Sequence, residues 1–165
     1  MYPNQRVSTE TLYAAAALNL LATPVPAFAR VMEIGCGSAT SLIMHAWANP
    51  ESIAIGVDID GQAILKGKQL VAGLGCQNVE LFEAGLGDLL AVDPGEFDYI
   101  IIHQSFAFLG KSEREALLQW CHAHLSVKGV IAIKWSVLPG SSARLALGEA
   151  LRFHLERAEA DRKST

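Results

Sequence analysis

Two carboxylates and a pair of glycines are the residues whose types and spacing point to chemistry. In R-V-M-E-I-G-C-G-S-A-T, Arg30 to Thr40, Glu33 stands two residues ahead of Gly35, and Cys36 separates Gly35 from Gly37. The second acid, Asp58, closes the apolar run I-A-I-G-V-D and is followed by Ile59. A carboxylate inside an apolar strand is costly unless a group at the strand end uses it. Glycine adds no Cβ and accepts positive φ, so a turn built on it lets main-chain atoms approach a ligand closely. An acid about twenty residues further on, at the end of the next strand, is where a nucleotide-binding βαβ unit keeps its acceptor for ribose hydroxyls. His103, after the run F-D-Y-I-I-I, is the titratable side chain expected to face the same crevice, and its pKa range suits a general base. On the alternative reading, only the His103 backbone carbonyl contacts the ligand.

The elements that must position these residues alternate. Short apolar runs at Val31 to Ile34, Ser52 to Asp58, Val79 to Phe82, Phe97 to Ile102 and Val130 to Trp135 read as strands. The fourth is almost unbroken, as in strands buried on both faces of a parallel sheet. Helical patterns fill the gaps: Ser38 to Ala48, Asp60 to Leu74 with a Gly73-Leu74-Gly75 stop, Lys111 to Leu125, and Ser141 to about Ala160. A further helix starts with Ser8 or Thr9 as N-cap and must end before Thr23-Pro24-Val25-Pro26. Strands alternating with helices give an α/β, Rossmann-like, doubly wound parallel sheet with right-handed crossovers.

The chain has 165 residues, enough for one domain with a proper core, here divided into an N-terminal helix and lid (1–26), a core sheet (27–140) and a C-terminal helix (141–165). Hydrophobic residues make up 51% and charged residues only 18%, which fits doubly buried strands or a surface covered by a partner. A net charge of −4 without a dense Lys/Arg cluster argues against nucleic-acid binding. Cys36, Cys76 and Cys121 lack metal-ligand spacing and read as reduced thiols of a cytoplasmic protein. The apolar segment Leu12 to Ala22 has no basic residues just ahead of it and is too short to span a bilayer, so neither a secretory signal nor a membrane anchor is expected.

The ligand class follows from the glycines. A dinucleotide site wants G-x-G-x-x-G facing a pyrophosphate, whereas Gly37 is followed by Ser38, Ala39 and Thr40. An acid ahead of the first glycine repels a pyrophosphate and suits a ligand bearing an ammonium group. The segments E-I-G-C-G-S-A and G-V-D-I-D resemble the class I S-adenosylmethionine-dependent methyltransferases. With P-E-S-I-A-I-G-V-D, F-D-Y-I-I-I-H and the L-P-G after strand five, nearly the whole chain is similar to bacterial methyltransferases that carry a C-terminal regulatory domain, some of which act on protein lysines.

That resemblance implies strand order 3-2-1-4-5, S-adenosyl-L-methionine as cofactor, and a crevice over strands one and four. Glu33 would hold the methionine end, through water or directly, and Asp58 the ribose hydroxyls, with Gly35, Cys36, Gly37, Ile59, Gly85, Leu86 and His103 as further cofactor contacts. It implies a lid near Tyr2 and Tyr13, and acceptor-side residues at Phe106, Phe108, Trp135, Ser136 and Leu138. Three departures stand out. Gly85 occupies the place of an acid that binds the adenine amino group, with Asp88 nearby as a substitute. Ala39 replaces the last glycine of the turn. No antiparallel strand pair or regulatory domain follows strand five. The expected activity is methyl transfer to a protein side chain or small molecule; the alternative is a catalytically weakened binding domain with a regulatory or assembly role. Lys134 is the lone charge of strand five, so pairing there with a second copy or another polypeptide is also expected.

Overall fold

The computed structural model describes residues 7–103, 105–134 and 146–154. Tyr2, Trp135, Ser136, Leu138 and the first turn of the helix expected from Ser141 lie outside the described residues. The chain forms two compact units, Met1–Trp135 and Ser136–Thr165. In the second, residues 146–154 are helical.

The first unit runs α1 (Thr9–Leu18), β1 (Arg30–Ile34), α2 (Thr40–Ala48), β2 (Ile53–Asp58), α3 (Gly61–Leu74), β3 (Val79–Glu83), α4 (Leu86–Leu90), β4 (Phe97–His103), α5 (Lys111–Ala123) and β5 (Leu125–Lys134), with short 3-10 turns at Pro26–Phe28 and Ser105–Phe108. All strand pairs are parallel and their order is β3-β2-β1-β4-β5, as expected. The order reverses direction between β1 and β4, so their carboxyl ends flank the crevice where an open α/β sheet binds ligands.

Period-two alternation sorts the side chains onto two faces. Val31, Ala54, Leu81, Tyr99 and Ile101 share one core with Leu42 and Ile43 of α2 and Ile64 of α3. Met32, Ile34, Ile100 and Ile102 share the other with Leu89 of α4 and Leu117 and Trp120 of α5. Helices on both sides explain why these strands carry so few polar residues.

Local chemistry sets the helix ends. Ser8 caps α1, its Oγ accepting from Thr11 N at 3.3 Å. Asp60 caps α3 through Gln62 N (3.0 Å) and Ala63 N (3.2 Å), and Gly75 ends it at φ +68°. At the amino-terminal end of the sheet, Asn78 Nδ2 donates to the carbonyls of Ala46 (3.1 Å), Asn49 (3.0 Å) and Ser52 (3.0 Å). His45 is buried, with its Nδ1 2.7 Å from both Glu10 Oε1 and Thr9 Oγ1.

α1 stops at Leu18, before the prolines as expected, at a turn where Leu20 takes φ +57°. Two elements differ from the sequence reading. α4 was not expected, being too short for a hydrophobic period to show. β5 starts at Leu125 instead of Val130, because Phe97 pairs with Leu125 while Tyr99 pairs with Val130. The surplus residues bulge outward, leaving Val127 98% exposed, and Ser126 Oγ donates to Asp98 Oδ1 at 2.8 Å.

Candidate cofactor site

The turn after β1 is held from both sides. Gly35 N and Cys36 N both donate to the Val57 carbonyl, at 2.9 and 3.1 Å. Gly35 has φ +74°, and a Cβ there would lie 2.7 Å from Ser105 Oγ and 3.0 Å from the His103 carbonyl. Glycine is therefore needed twice, for its backbone conformation and for contact with the end of β4. Gly37 also has positive φ, +57°, but a Cβ would meet nothing within 4 Å. Its open side is the kind of cradle a ligand fills. Ala39 takes the same left-handed conformation at φ 51°. The missing glycine of the motif is thus an alanine in a glycine-like geometry, a strain of about 1–2 kcal/mol. Its fully buried methyl packs in the α2 core.

Asp58 ties this turn to the end of β2. Its Oδ2 accepts from Gly37 N at 2.7 Å, and its Oδ1 accepts from Asp60 N at 2.9 Å. Each carboxylate oxygen keeps a second lone pair, so an anchored Asp58 still has acceptors for a diol.

Gly35, Asp58, Ile59, Gly85 and Leu86 line one crevice of about 320 Å³, together with Ile34, Val57, Ala84, Leu89, Ser105, Phe108, Leu109 and Leu117. Six residues expected from the sequence, Phe108 on the acceptor side among them, are thereby brought together. Asp58 and Ser105 supply the polar side chains of this lining, and Ser105 Oγ already donates to the His103 carbonyl at 2.7 Å. Ser105, Leu89 of α4 and Leu117 of α5 had no sequence signal of their own. They come from elements beyond the nucleotide-binding unit, and only packing reveals them.

The other expected residues lie around the crevice without lining it. Cys36 is fully buried, its thiol directed to the Gly37 carbonyl at 3.6 Å. Glu33 and His103 lie on the same sheet face, both buried, with Glu33 Oε1 3.1 Å from His103 Nε2. Register accounts for this: Glu33 pairs with Ile101, so His103 stands one same-face position beyond it. The distance is that of an ion pair, although Nε2 is not aligned for a hydrogen bond. Asp88 caps α4, its Oδ2 accepting from Gly85 N at 2.9 Å. Tyr13 is half-buried on α1, and Phe106 is buried.

Comparison with known proteins agrees with this geometry. The family described as "Methyltransferase domain" (Methyltransf_12) matches residues 32–131, more than half of the chain. An uncharacterised protein of Rickettsia prowazekii is 30% identical over 128 residues, spanning 78% of this chain and 51% of the relative. Carboxy-S-adenosyl-L-methionine synthase of Campylobacter jejuni is 28% identical over 120 residues, 73% of this chain and 49% of that protein. Among solved structures, PKMT2 from Rickettsia typhi in complex with AdoHcy superposes with a TM-score of 0.76 at 29% identity, covering 87% of this chain and 28% of PKMT2. The chain spans about half the length of the first two relatives and about a quarter of PKMT2. With its 3-2-1-4-5 sheet, glycine turn and strand-end acid, the chain belongs to the methyltransferase domain family, in the class I, S-adenosylmethionine-dependent group.

Proposed function

We propose that this domain binds S-adenosyl-L-methionine in the crevice and transfers its methyl group to a protein side chain or a small molecule. The observation that carries this reading is the Asp58 carboxylate, which grips Gly37 N and borders the crevice. Asp58 is assigned the ribose hydroxyls, the Gly35-Cys36-Gly37 backbone and Glu33 the methionine end, and Ile59, Gly85 and Leu86 the base.

When bound, the cofactor supplies an electrophilic sulfonium methyl. The chain's task is then to hold an acceptor in line with that methyl and to exclude water, which lowers the barrier by several kcal/mol without an acid or base. His103 is assigned a positioning role: its ring, packed at 3.1 Å against Glu33, fixes the carboxylate below the turn. Service as a base for a protonated acceptor would require the ring to leave that contact, so the backbone carbonyl reading of His103 is favoured.

Calorimetric titration of the full chain tests the proposal. S-adenosylmethionine and S-adenosylhomocysteine should bind with micromolar affinity, about −8 kcal/mol. Tight NAD binding with no response to either compound would refute it.

The setting of the enzyme is part of the same proposal. β5 is an end strand among the described residues, and Val127 and Ile133 are exposed along it. Pairing of this edge with a second copy or a separate chain is proposed on that ground. Light scattering at micromolar concentration is expected to show a species larger than the monomer; a clean monomer refutes self-association. None of Cys36, Cys76 and Cys121 is joined in a disulfide, which supports a cytoplasmic location. No described helix is long and apolar enough to cross a membrane.

A further inference from the structure

We propose that this site reads the base of its cofactor by shape and apolar contact, with no side-chain hydrogen bond to the exocyclic amino position, so that purines altered there are accepted. The inference rests on the cofactor reading above, with the ribose at Asp58. Beyond Asp58 the crevice continues along Ile59, Ala84, Gly85, Leu86 and Leu89, none of which has a polar side chain. The nearest carboxylate on α4, Asp88, does not line the crevice and turns its Oδ2 to Gly85 N at 2.9 Å. Neighbouring main-chain groups have partners within the fold: the Gly85 carbonyl accepts from Leu89 N at 3.1 Å, and Ala84 N donates to the Asp58 carbonyl at 3.0 Å.

Nothing in the fold requires glycine at position 85. Its φ of −84° and ψ of 176° are extended backbone open to any residue. A Cβ there would meet only Asp88 Oδ2, at an ordinary 3.5 Å. The absent side chain therefore leaves a smooth wall where an acceptor would otherwise stand. An apolar pocket cannot strongly reject a near-isosteric ligand, whereas a site built to hydrogen-bond a group rejects analogues lacking it by orders of magnitude. Replacing the base's amino group by a carbonyl should thus change affinity little here.

Titration calorimetry with S-adenosylhomocysteine and its deaminated analogue, S-inosylhomocysteine, tests this on the full chain. The two dissociation constants are expected within about threefold of each other, and Gly85→Asp is expected to favour the adenosyl compound by about tenfold or more. If wild type binds the adenosyl compound but rejects the inosyl one by more than about tenfold, the base is read by a hydrogen bond and the inference falls while the cofactor reading stands. If neither compound binds, both fall. A Gly85→Asp protein that is folded by circular dichroism yet gains no preference shows that the base does not lie against Gly85, which also overturns the inference. Should the variant not fold, the wild-type ratio decides.

Discussion

Asp58 holds the glycine turn and is proposed to bind the ribose, and Asp58→Asn separates the two tasks. The carboxamide matches the carboxylate in shape but offers one acceptor oxygen, so its NH2 must face either Gly37 N or Asp60 N, the two donors now held at 2.7 and 2.9 Å. One charge-assisted hydrogen bond is lost. Because the site is half-exposed, we take the lower end of its range, about 1.5 kcal/mol. For a chain of this length that lowers Tm by about 3–6 °C. The ribose diol loses a charged acceptor as well, about 2 kcal/mol, or roughly thirtyfold in Kd. Thermal melts with S-adenosylhomocysteine read both effects together. At a ligand concentration one hundred times the wild-type Kd, ligand should stabilise wild type by about 2.7 kcal/mol but the variant by only about 0.9 kcal/mol. A variant that melts lower when free yet gains the full ligand shift would show that the ribose is not at Asp58. An unchanged free melt would show that the carboxylate does not hold the glycine turn.

The two glycines of the turn should respond differently. Gly35→Ala combines a left-handed backbone with a Cβ 2.7 Å from Ser105 Oγ, so urea unfolding should show a loss of at least about 2 kcal/mol. Gly37→Ala meets no neighbour and should cost only about 1 kcal/mol in stability, while its new methyl, standing on the ligand side, weakens S-adenosylhomocysteine binding about tenfold or more by calorimetry. Burial opposes the charge on Glu10, but the hydrogen bond from His45 and others outweigh it and hold its pKa at about 2, below the usual 4.5. A depressed carboxylate contributes stability above pH 4.5 that is lost as pH falls towards 2. Because the Glu10 side chain is 52% exposed, we expect about 1 kcal/mol, visible as a shallower acid limb in urea midpoints of Glu10→Gln.

The sheet was legible because its signals are local. Apolar runs of four to seven residues, each closed by a helix pattern, set the β1, β2 and β4 boundaries to within a residue, and Glu33 and Asp58 stood out as acids ending or interrupting such runs. What was not legible depends on register or on short pieces. The contact of Glu33 with His103 joins residues seventy positions apart, and it exists because β4 pairs with β1 so that Glu33 faces Ile101. A period count cannot supply that offset, and the sequence left open whether the His103 side chain or only its backbone carbonyl meets the ligand. The start of β5 was obscured because Lys128 and Gly129 interrupt its apolar pattern, while the bulge that accommodates them is a property of the pair β4 and β5. Ala39 illustrates the converse. It stands where the motif has its last glycine, yet it takes the left-handed conformation all the same.

Asn78 has a consequence for how the molecule assembles. One amide nitrogen gathers carbonyls from the last turn of α2, the loop after it and the residue that opens β2, all within some thirty residues of Asn78 itself. Such contacts form at little loop-closure cost and favour early organisation of β1 through β3 as a unit. β4 and β5 then add to a surface already built. In native-state hydrogen exchange, the amides of β1 and β2 are expected to open together and last, and Asn78→Asp, which replaces the shared donor by a charge facing three carbonyls, should bring their opening down to that of β5. Asp58, the proposed ribose acid, would then sit on the first part of the molecule to become rigid.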